Sequence, residues 1–279
     1  VTTERQAAVL GSPIAHSLSP VLHRAAYQAL NLDWTYRAVE VDQMSLAQFW
    51  SDLDETWVGL SLTMPLKMAV MPFLDHVSPR GLAIQAVNTV VFDQGQAFGH
   101  NTDIPGMIRA LDAAQPQPGD TRSASILGGG ATARSAVAAL IERHGHDVPI
   151  SICARRDQQA HDLVALALSL GGHAHVLGWN DRTQAMAADV VISTIPGGSD
   201  AQVILPSSPG VLLDVAYDPW PSEWVARWRS AGGSAATGAD LLLWQAAHQV
   251  ELMTGQAAPV AAMRDALTGA LNDRVQPSI

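Results

Sequence analysis

No stretch of this chain constrains its fold more than Ile126-Leu127-Gly128-Gly129-Gly130-Ala131-Thr132-Ala133-Arg134. A short apolar run, Ala124 to Leu127, enters three consecutive glycines and leaves them as a helix-periodic segment from about Thr132 to His144. Glycines at such a junction permit a tight turn and let a pyrophosphate approach backbone amides, and the helix N-terminus adds partial positive charge. The alternation continues with a strand at Ile150 to Ala154, a helix at Gln158 to Leu170, and strands at Val190 to Thr194 and Val211 to Val215. Strands and helices alternating at this length predict a parallel sheet with helices on both faces, a Rossmann-like α/β unit.

The glycine turn suits a dinucleotide or S-adenosylmethionine, so the end of the next strand has to decide. A unit that binds NAD usually carries an acid there for the ribose 2′-hydroxyl. This chain has Arg155 and Arg156 instead, and its first acid is Asp157. Paired guanidinium groups would clamp a 2′-phosphate by forked, charge-assisted hydrogen bonds, which points to NADP. The alternative is that the two arginines only solvate a loop. Arg134, one turn into the phosphate-facing helix, either adds a contact or faces water.

The first half reads as a second compact α/β unit. A strand at Ala7 to Leu10 leads through Gly11-Ser12-Pro13 to Ser19-Pro20, where Ser19 suits a helix N-cap and Pro20 the first helical position. Leu22, Ala25, Ala26, Ala29 and Leu30 then share a helix face. Strand-like segments follow at Thr35 to Val41, Val58 to Thr63, Val87 to Phe92 and Ala97 to His100. Pro116-Gln117-Pro118-Gly119-Asp120 reads as a linker or long loop, and helices are expected at Ala239 to Thr254 and Val260 to Asn272.

Composition narrows the partners. Among 279 residues, 26 acids against 16 bases leave a net charge of −10, which with no basic stripe disfavours nucleic acid. Apolar runs stop well short of the ~18 residues of a membrane span. The polar stretch Val1 to Arg5 shows no apolar segment of a secretory signal. Cys153, the one cysteine, precludes an internal disulfide and fits a reducing, cytoplasmic compartment. The pairs His144/His146 and His173/His175 lack acidic or Cys companions at ligand spacing, so no metal is expected. Trp220, Trp224, Trp228 and Trp244 are expected in core or interdomain packing, with a homodimer contact as the alternative.

Several short motifs occur together: Ser12-Pro13-Ile14-Ala15-His16-Ser17-Leu18-Ser19-Pro20, Thr63-Met64-Pro65-Leu66-Lys67, Ala86-Val87-Asn88-Thr89, Gly99-His100-Asn101-Thr102-Asp103-Ile104-Pro105-Gly106, and Gln245-Ala246-Ala247. In this order, and over nearly the whole chain, they resemble shikimate dehydrogenases. The resemblance implies an N-terminal α/β substrate domain and a Rossmann-like NADP-binding domain with a cleft between them. The expected division is 1–106 for substrate and catalysis, 107–238 for NADP, and 239–279 as helices returning to the substrate domain. It further implies NADPH-dependent reduction of 3-dehydroshikimate to shikimate, a step of aromatic amino acid and chorismate biosynthesis.

Position by position, Ser17 and Ser19 then look like contacts to the substrate carboxylate, with Tyr217 as a helper. Thr63, Asn88, Asp103 and Gln245 resemble the groups that bond the ring oxygens. Lys67 and Asp103 resemble the catalytic pair. Gly128, Gly130 and Ala131 match the phosphate turn, Arg155 the 2′-phosphate residue with Arg156 beside it, and Gly238 a residue near the nicotinamide. Four places depart from the family pattern: Ser61 for its usual asparagine, Ala131 in the glycine turn, Ala154-Arg155-Arg156, and Ser193-Thr194-Ile195-Pro196. Rival readings are a sister enzyme acting on quinate or an amino analogue, and a non-catalytic sensor of NADP or a metabolite. Lys67 is also the only lysine, and before the motif match its position alone favours an ordinary surface residue.

Overall fold

The computed structural model describes residues 5–115, 121–197 and 203–275. The stretch Pro116 to Asp120, read above as a linker, and the start of the polar N-terminal stretch lie outside them. In chain order the strands are β1 (Arg5–Gly11), β2 (Trp34–Glu40), β3 (Trp57–Leu62), β4 (His76–Val77), β5 (Thr89–Asp93), β6 (Gln96–His100), β7 (Ala124–Leu127), β8 (Pro149–Cys153), β9 (His173–Val176), β10 (Val190–Ser193), β11 (Val211–Asp214) and β12 (Ser234–Thr237). The helices are α1 (Ser19–Ala29), α2 (Leu46–Ser51), α3 (Leu66–Ala69), α4 (Pro79–Ile84), α5 (Asp103–Ala114), α6 (Ala131–His144), α7 (Asp157–Ser169), α8 (Arg182–Ala185), α9 (Glu223–Ser230), α10 (Gly238–Thr254) and α11 (Val260–Val275). They form two compact units, one running to Thr102 and resuming at Gln245, the other spanning Asp103–Trp244.

The first unit holds a mixed six-stranded sheet in the order β2-β1-β3-β5-β6-β4. β1 pairs in parallel with β2 and β3, whereas β5 runs antiparallel to both β3 and β6. Every residue of β3 is buried, as expected of a strand covered on both faces. The register Leu10↔Leu62 brings the C-terminal ends of β1 and β3 together. There the Thr63 amide donates to the Leu10 carbonyl at 2.9 Å and the Ser12 amide to the Met64 carbonyl at 2.9 Å. A Cβ on Gly11 would overlap Thr63 Cγ2, so glycine is what lets the two loops touch.

The second unit is a fully parallel sheet, β12-β11-β10-β7-β8-β9, with α5 to α9 packed on it. β7 lies between β8 and β10, so the strand order reverses at its end, the place where open α/β sheets hold ligands. The glycine turn stands there. β9 and β12 were the least legible strands: His-Ala-His-Val and Ser-Ala-Ala-Thr sit at the two edges, where pairing needs no apolar run. Trp228 is fully buried in this unit and donates its indole N–H to the Gly210 carbonyl at 3.0 Å, which is core packing.

Two local expectations are corrected. α1 begins at Ser19 itself, with Leu18 in the capping position and no side-chain cap. The Val21 and Leu22 amides, which a Ser19 cap would accept, donate instead to the Leu18 carbonyl at 3.1 and 3.3 Å, and the Ser17 hydroxyl accepts the Ser19 amide at 3.3 Å. Asn88 stands just before β5 rather than inside it, although its amide still donates to the His100 carbonyl (3.1 Å) and its carbonyl accepts the Leu62 amide (2.8 Å), as the ladder on both sides runs out.

The core beside α1 contains a histidine. His23 stacks on Tyr36 with ring centroids 3.9 Å apart, and its Nδ1 donates to the Ser19 carbonyl at 3.0 Å. Its Nε2 is buried without a partner. Protonation would strand a charge there, so burial pushes the imidazole down to about 4. A folded pKa below the unfolded ~6.5 gives stability that is present above pH ~6.5 and lost as pH falls toward 4, on the order of 3 kcal/mol in all. Urea unfolding of wild type and His23→Phe between pH 7.5 and 4.5 tests this: the variant should lose most of that slope, and parallel curves would refute it.

Candidate active site

In the first unit, the loops that leave β1 and β3 and enter β5, all central strands, carry most of the expected substrate residues. Glu40, the last residue of β2, accepts from Ser12 Oγ at 2.7 Å and from the Ile14 amide at 3.3 Å, so it holds the loop that leads to Ser17 and Ser19. The Ser19 side chain makes no capping bond and is almost fully buried, so its hydroxyl is not spent on ending the helix. Thr63 starts the turn into α3, accepting from the Leu66 amide at 2.7 Å. Lys67, half-buried in α3, accepts the Val87 amide on its backbone carbonyl at 2.7 Å. That bond places the lysine next to Asn88 whatever its side chain does.

Asn88 is buried and its amide orientation is determined. The Thr102 backbone N–H can only donate, and it donates to Asn88 Oδ1 at 2.8 Å. The Nδ2 then faces Thr102 Oγ1 at 3.0 Å and Gln245 Oε1 at 3.5 Å. Two residues 157 positions apart thus present amides to one place. Asp103 follows Thr102 directly, is buried, and opens α5 in the other unit, where a carboxylate suits the helix N-terminus.

In the second unit the phosphate turn is built from steric necessity and an open helix end. Gly128 has φ +119°, and a Cβ there would run into Thr194 Oγ1. A Cβ on Gly129 would meet Gln159 Cβ at 2.7 Å. A Cβ on Gly130 would find nothing within 4 Å, and this residue caps α6 without any side-chain acceptor. The approach to the first turn of α6 is therefore open at Gly130, and the positive end of the helix faces the place where a pyrophosphate would lie. Arg155 is exposed past β8, with its guanidinium 5.4 Å from the centre of the Trp179 ring. Arg182 lies over the same ring at 5.3 Å. Arg156 is exposed at the N-cap of α7. Arg134 is half-buried rather than solvated, and burial pulls its guanidinium pKa down against the pull of Asp162.

Tyr217 and Gly238 adjoin one another through the backbone. A Cβ on Gly238 would overlap the Val215 carbonyl, so only glycine lets the start of α10 approach the segment that carries Tyr217. Thr237 and Asp240 fix that start reciprocally: the Thr237 amide donates to Asp240 Oδ2 at 2.9 Å and the Asp240 amide to Thr237 Oγ1 at 3.2 Å. Asp214, buried at the end of β11, accepts from the Ser222 hydroxyl and has its carboxyl pKa raised by burial. Among the described residues no group of three or more His, Cys, Asp or Glu side chains could hold a metal ion.

The family model for the shikimate dehydrogenase substrate binding domain matches residues 9–90, and that for the shikimate 5′-dehydrogenase C-terminal domain matches residues 238–268. The shikimate dehydrogenase (NADP(+)) of Desulfitobacterium hafniense is 32% identical over 95% of this chain and 97% of its own. The chain belongs to the shikimate dehydrogenase family. Among solved structures, the Mycobacterium tuberculosis shikimate dehydrogenase is 38% identical with a TM-score of 0.82, covering 95% of this chain and 99% of its own. The Thermus thermophilus shikimate 5-dehydrogenase, solved in complex with NADP(H) and shikimate, is 32% identical with a TM-score of 0.82, covering 95% and 99%.

Within a shikimate dehydrogenase framework, three residues here escaped the sequence reading. Glu40 ends a strand like any exposed acid, and only the fold reveals its grip on the Ser12 loop. Trp179 and Arg182 lie more than twenty residues past Arg155, and nothing in their spacing announces a shared ring. The departure at Thr194 is explained by the same geometry, since its hydroxyl donates to the Leu127 carbonyl at 3.1 Å and packs against Gly128.

Proposed function

We propose that this chain interconverts 3-dehydroshikimate and shikimate using NADP(H). The observation that carries the reading is the grouping of Lys67, Asn88 and Gln245 beside the central strands of the first sheet, fixed by the Lys67–Val87 backbone bond and the Asn88–Gln245 contact. An ammonium beside two amides suits a ketone flanked by ring hydroxyls: the amides hold the ring, and the ammonium meets the oxygen that becomes negative. Ser17 and Ser19 are proposed to bind the substrate carboxylate, with Tyr217 assisting, and Thr63 a ring hydroxyl.

Gly128, Gly130 and Ala131 fit the pyrophosphate of NADP, Arg155 and Arg156 its 2′-phosphate, and Gly238 the nicotinamide side. Bound there, the cofactor supplies or takes the hydride. Lys67 Nζ donates a proton to the ketone oxygen during reduction and takes it back from the hydroxyl during oxidation. Asp103 is the proposed acidic member of that pair and accepts a substrate hydroxyl. A reducing, cytoplasmic setting is supported by the single cysteine, Cys153, buried at the end of β8.

Initial rates with shikimate and with quinate, each with NADP⁺ and NAD⁺, test the reading. Shikimate with NADP⁺ should give the highest kcat/KM of the four pairs. No NADP⁺ reduction at millimolar shikimate would sink it, and a faster rate with quinate would move the substrate to the sister enzyme.

A further inference from the structure

A directional chain of buried hydrogen bonds runs into Asn88 from behind, through residues that the proposed chemistry does not use. Gln249 lies one turn beyond Gln245 on α10, so the two share a helix face. The Gln249 Nε2 lies 3.3 Å from the Asn88 carbonyl oxygen, which can only accept, so this end of the amide is the donor. Its Oε1 is then the atom 2.9 Å from Ser61 Oγ, which spends its one proton there. Ser61 must in turn accept from Tyr36 Oη at 2.6 Å.

The other Gln249 N–H donates to Thr89 Oγ1 at 3.0 Å, which leaves the Thr89 proton for Asn88 Oδ1, also 3.0 Å away, or for Thr102 Oγ1 at 3.2 Å; since Thr102 Oγ1 already accepts from Asn88 Nδ2, the first is favoured. Tyr36, Ser61, Thr89, Gln249 and Asn88 are each at most 3% exposed, so water does not substitute for any of these bonds. The Asn88 oxygen is thereby claimed by Thr89 and the Thr102 amide, and its NH₂ group is presented on the Gln245 side.

We propose that Gln249 is a positioning residue for substrate recognition: through Thr89 it adds a second hold to the Asn88 amide orientation that the Thr102 N–H sets, and so keeps the NH₂ end toward the ring hydroxyls. The inference rests on Asn88 being a substrate contact, as proposed above. Without Gln249, Thr89 can rotate its hydroxyl away, and the hold on Asn88 Oδ1 falls to the Thr102 side alone.

A double-mutant cycle on kcat/KM for shikimate separates this from a merely structural role. Gln249→Leu should lower it by about 30-fold, chiefly through KM, with the KM for NADP⁺ unchanged. In an Asn88→Ala background the same substitution should cost less than about 3-fold. Equal losses in both backgrounds, or no loss in the first, overturn the inference while leaving the Asn88 assignment standing. If Asn88→Ala by itself leaves shikimate kinetics intact, the assignment and the inference fall together. Should Gln249→Leu not fold, Thr89→Val cuts the same link without changing volume. It should cost about 10-fold and likewise lose its effect beside Asn88→Ala, and a silent Thr89→Val overturns the proposal.

Discussion

Replacing Lys67 by alanine should lower turnover by at least ~100-fold, with a much smaller change in shikimate affinity. The backbone bond that ties α3 to Val87, in which the Lys67 carbonyl accepts the Val87 amide at 2.7 Å, survives the change, because alanine keeps that carbonyl. Substrate binding as proposed is spread over Ser17, Ser19, Thr63, Asn88 and Gln245, so one lost ammonium should leave most of it. The loss falls on the step in which negative charge grows on the ketone oxygen, which only a proton donor aimed at it relieves. Lys67→Arg should fail nearly as badly, since guanidinium keeps the charge but is too weak an acid to release a proton. Steady-state rates in both directions decide it: a folded Lys67→Ala enzyme with near-normal turnover removes Lys67 from the chemistry. The composition gives the experiment an advantage, because fifteen of the sixteen basic residues are arginine and no second lysine can stand in.

How far the sequence revealed this site depended on whether a feature was local. The second unit was legible because each strand, turn and helix signals itself within about ten residues, and β7, α6, β8 and α7 lie within a residue or so of where periodicity put them. The glycine turn was legible for the same reason, although the clash that requires Gly128 comes from Thr194, a residue 66 positions later. Asn88 and Gln245 each stood out through a short motif, but nothing local announced that the two meet, or that Gln249 joins them from the same helix. Ser61 looked like a loss relative to the family pattern. In the structure it is a fully engaged link, donating to Gln249 and accepting from Tyr36. Local polar residues that serve distant ones carry no periodic signal, and the Ser19 cap failed on a detail just as silent: the right residue type stood at the right helix end, but the helix starts one residue earlier and the Leu18 carbonyl takes the Val21 and Leu22 amides.

Removing the Arg155 guanidinium should raise the KM for NADP⁺ by roughly 10- to 100-fold and leave that for NAD⁺ nearly unchanged, the range expected for losing a charge-assisted hydrogen-bonded pair to phosphate. The exposure of Arg155 argues for a smaller effect, since a solvated arginine pays for its ordering in lost side-chain freedom. Its position over Trp179 argues the other way: a guanidinium already resting on an indole face loses less freedom when it takes up a phosphate. Arg182 over the same ring adds a second positive charge nearby, so local charge at this spot overrides the net −10 of the chain. Trp179→Ala should therefore reproduce part of the Arg155→Ala defect, in the NADP⁺ KM alone. Shikimate oxidation measured across a series of NADP⁺ and NAD⁺ concentrations distinguishes the outcomes. If Arg155→Ala and Arg156→Ala together leave the NADP⁺ KM unchanged, the two arginines are a solvated loop and the 2′-phosphate is recognised elsewhere. If Arg155→Ala weakens NADP⁺ and NAD⁺ alike, the side chain acts on the shared adenosine rather than on the phosphate that separates the two cofactors.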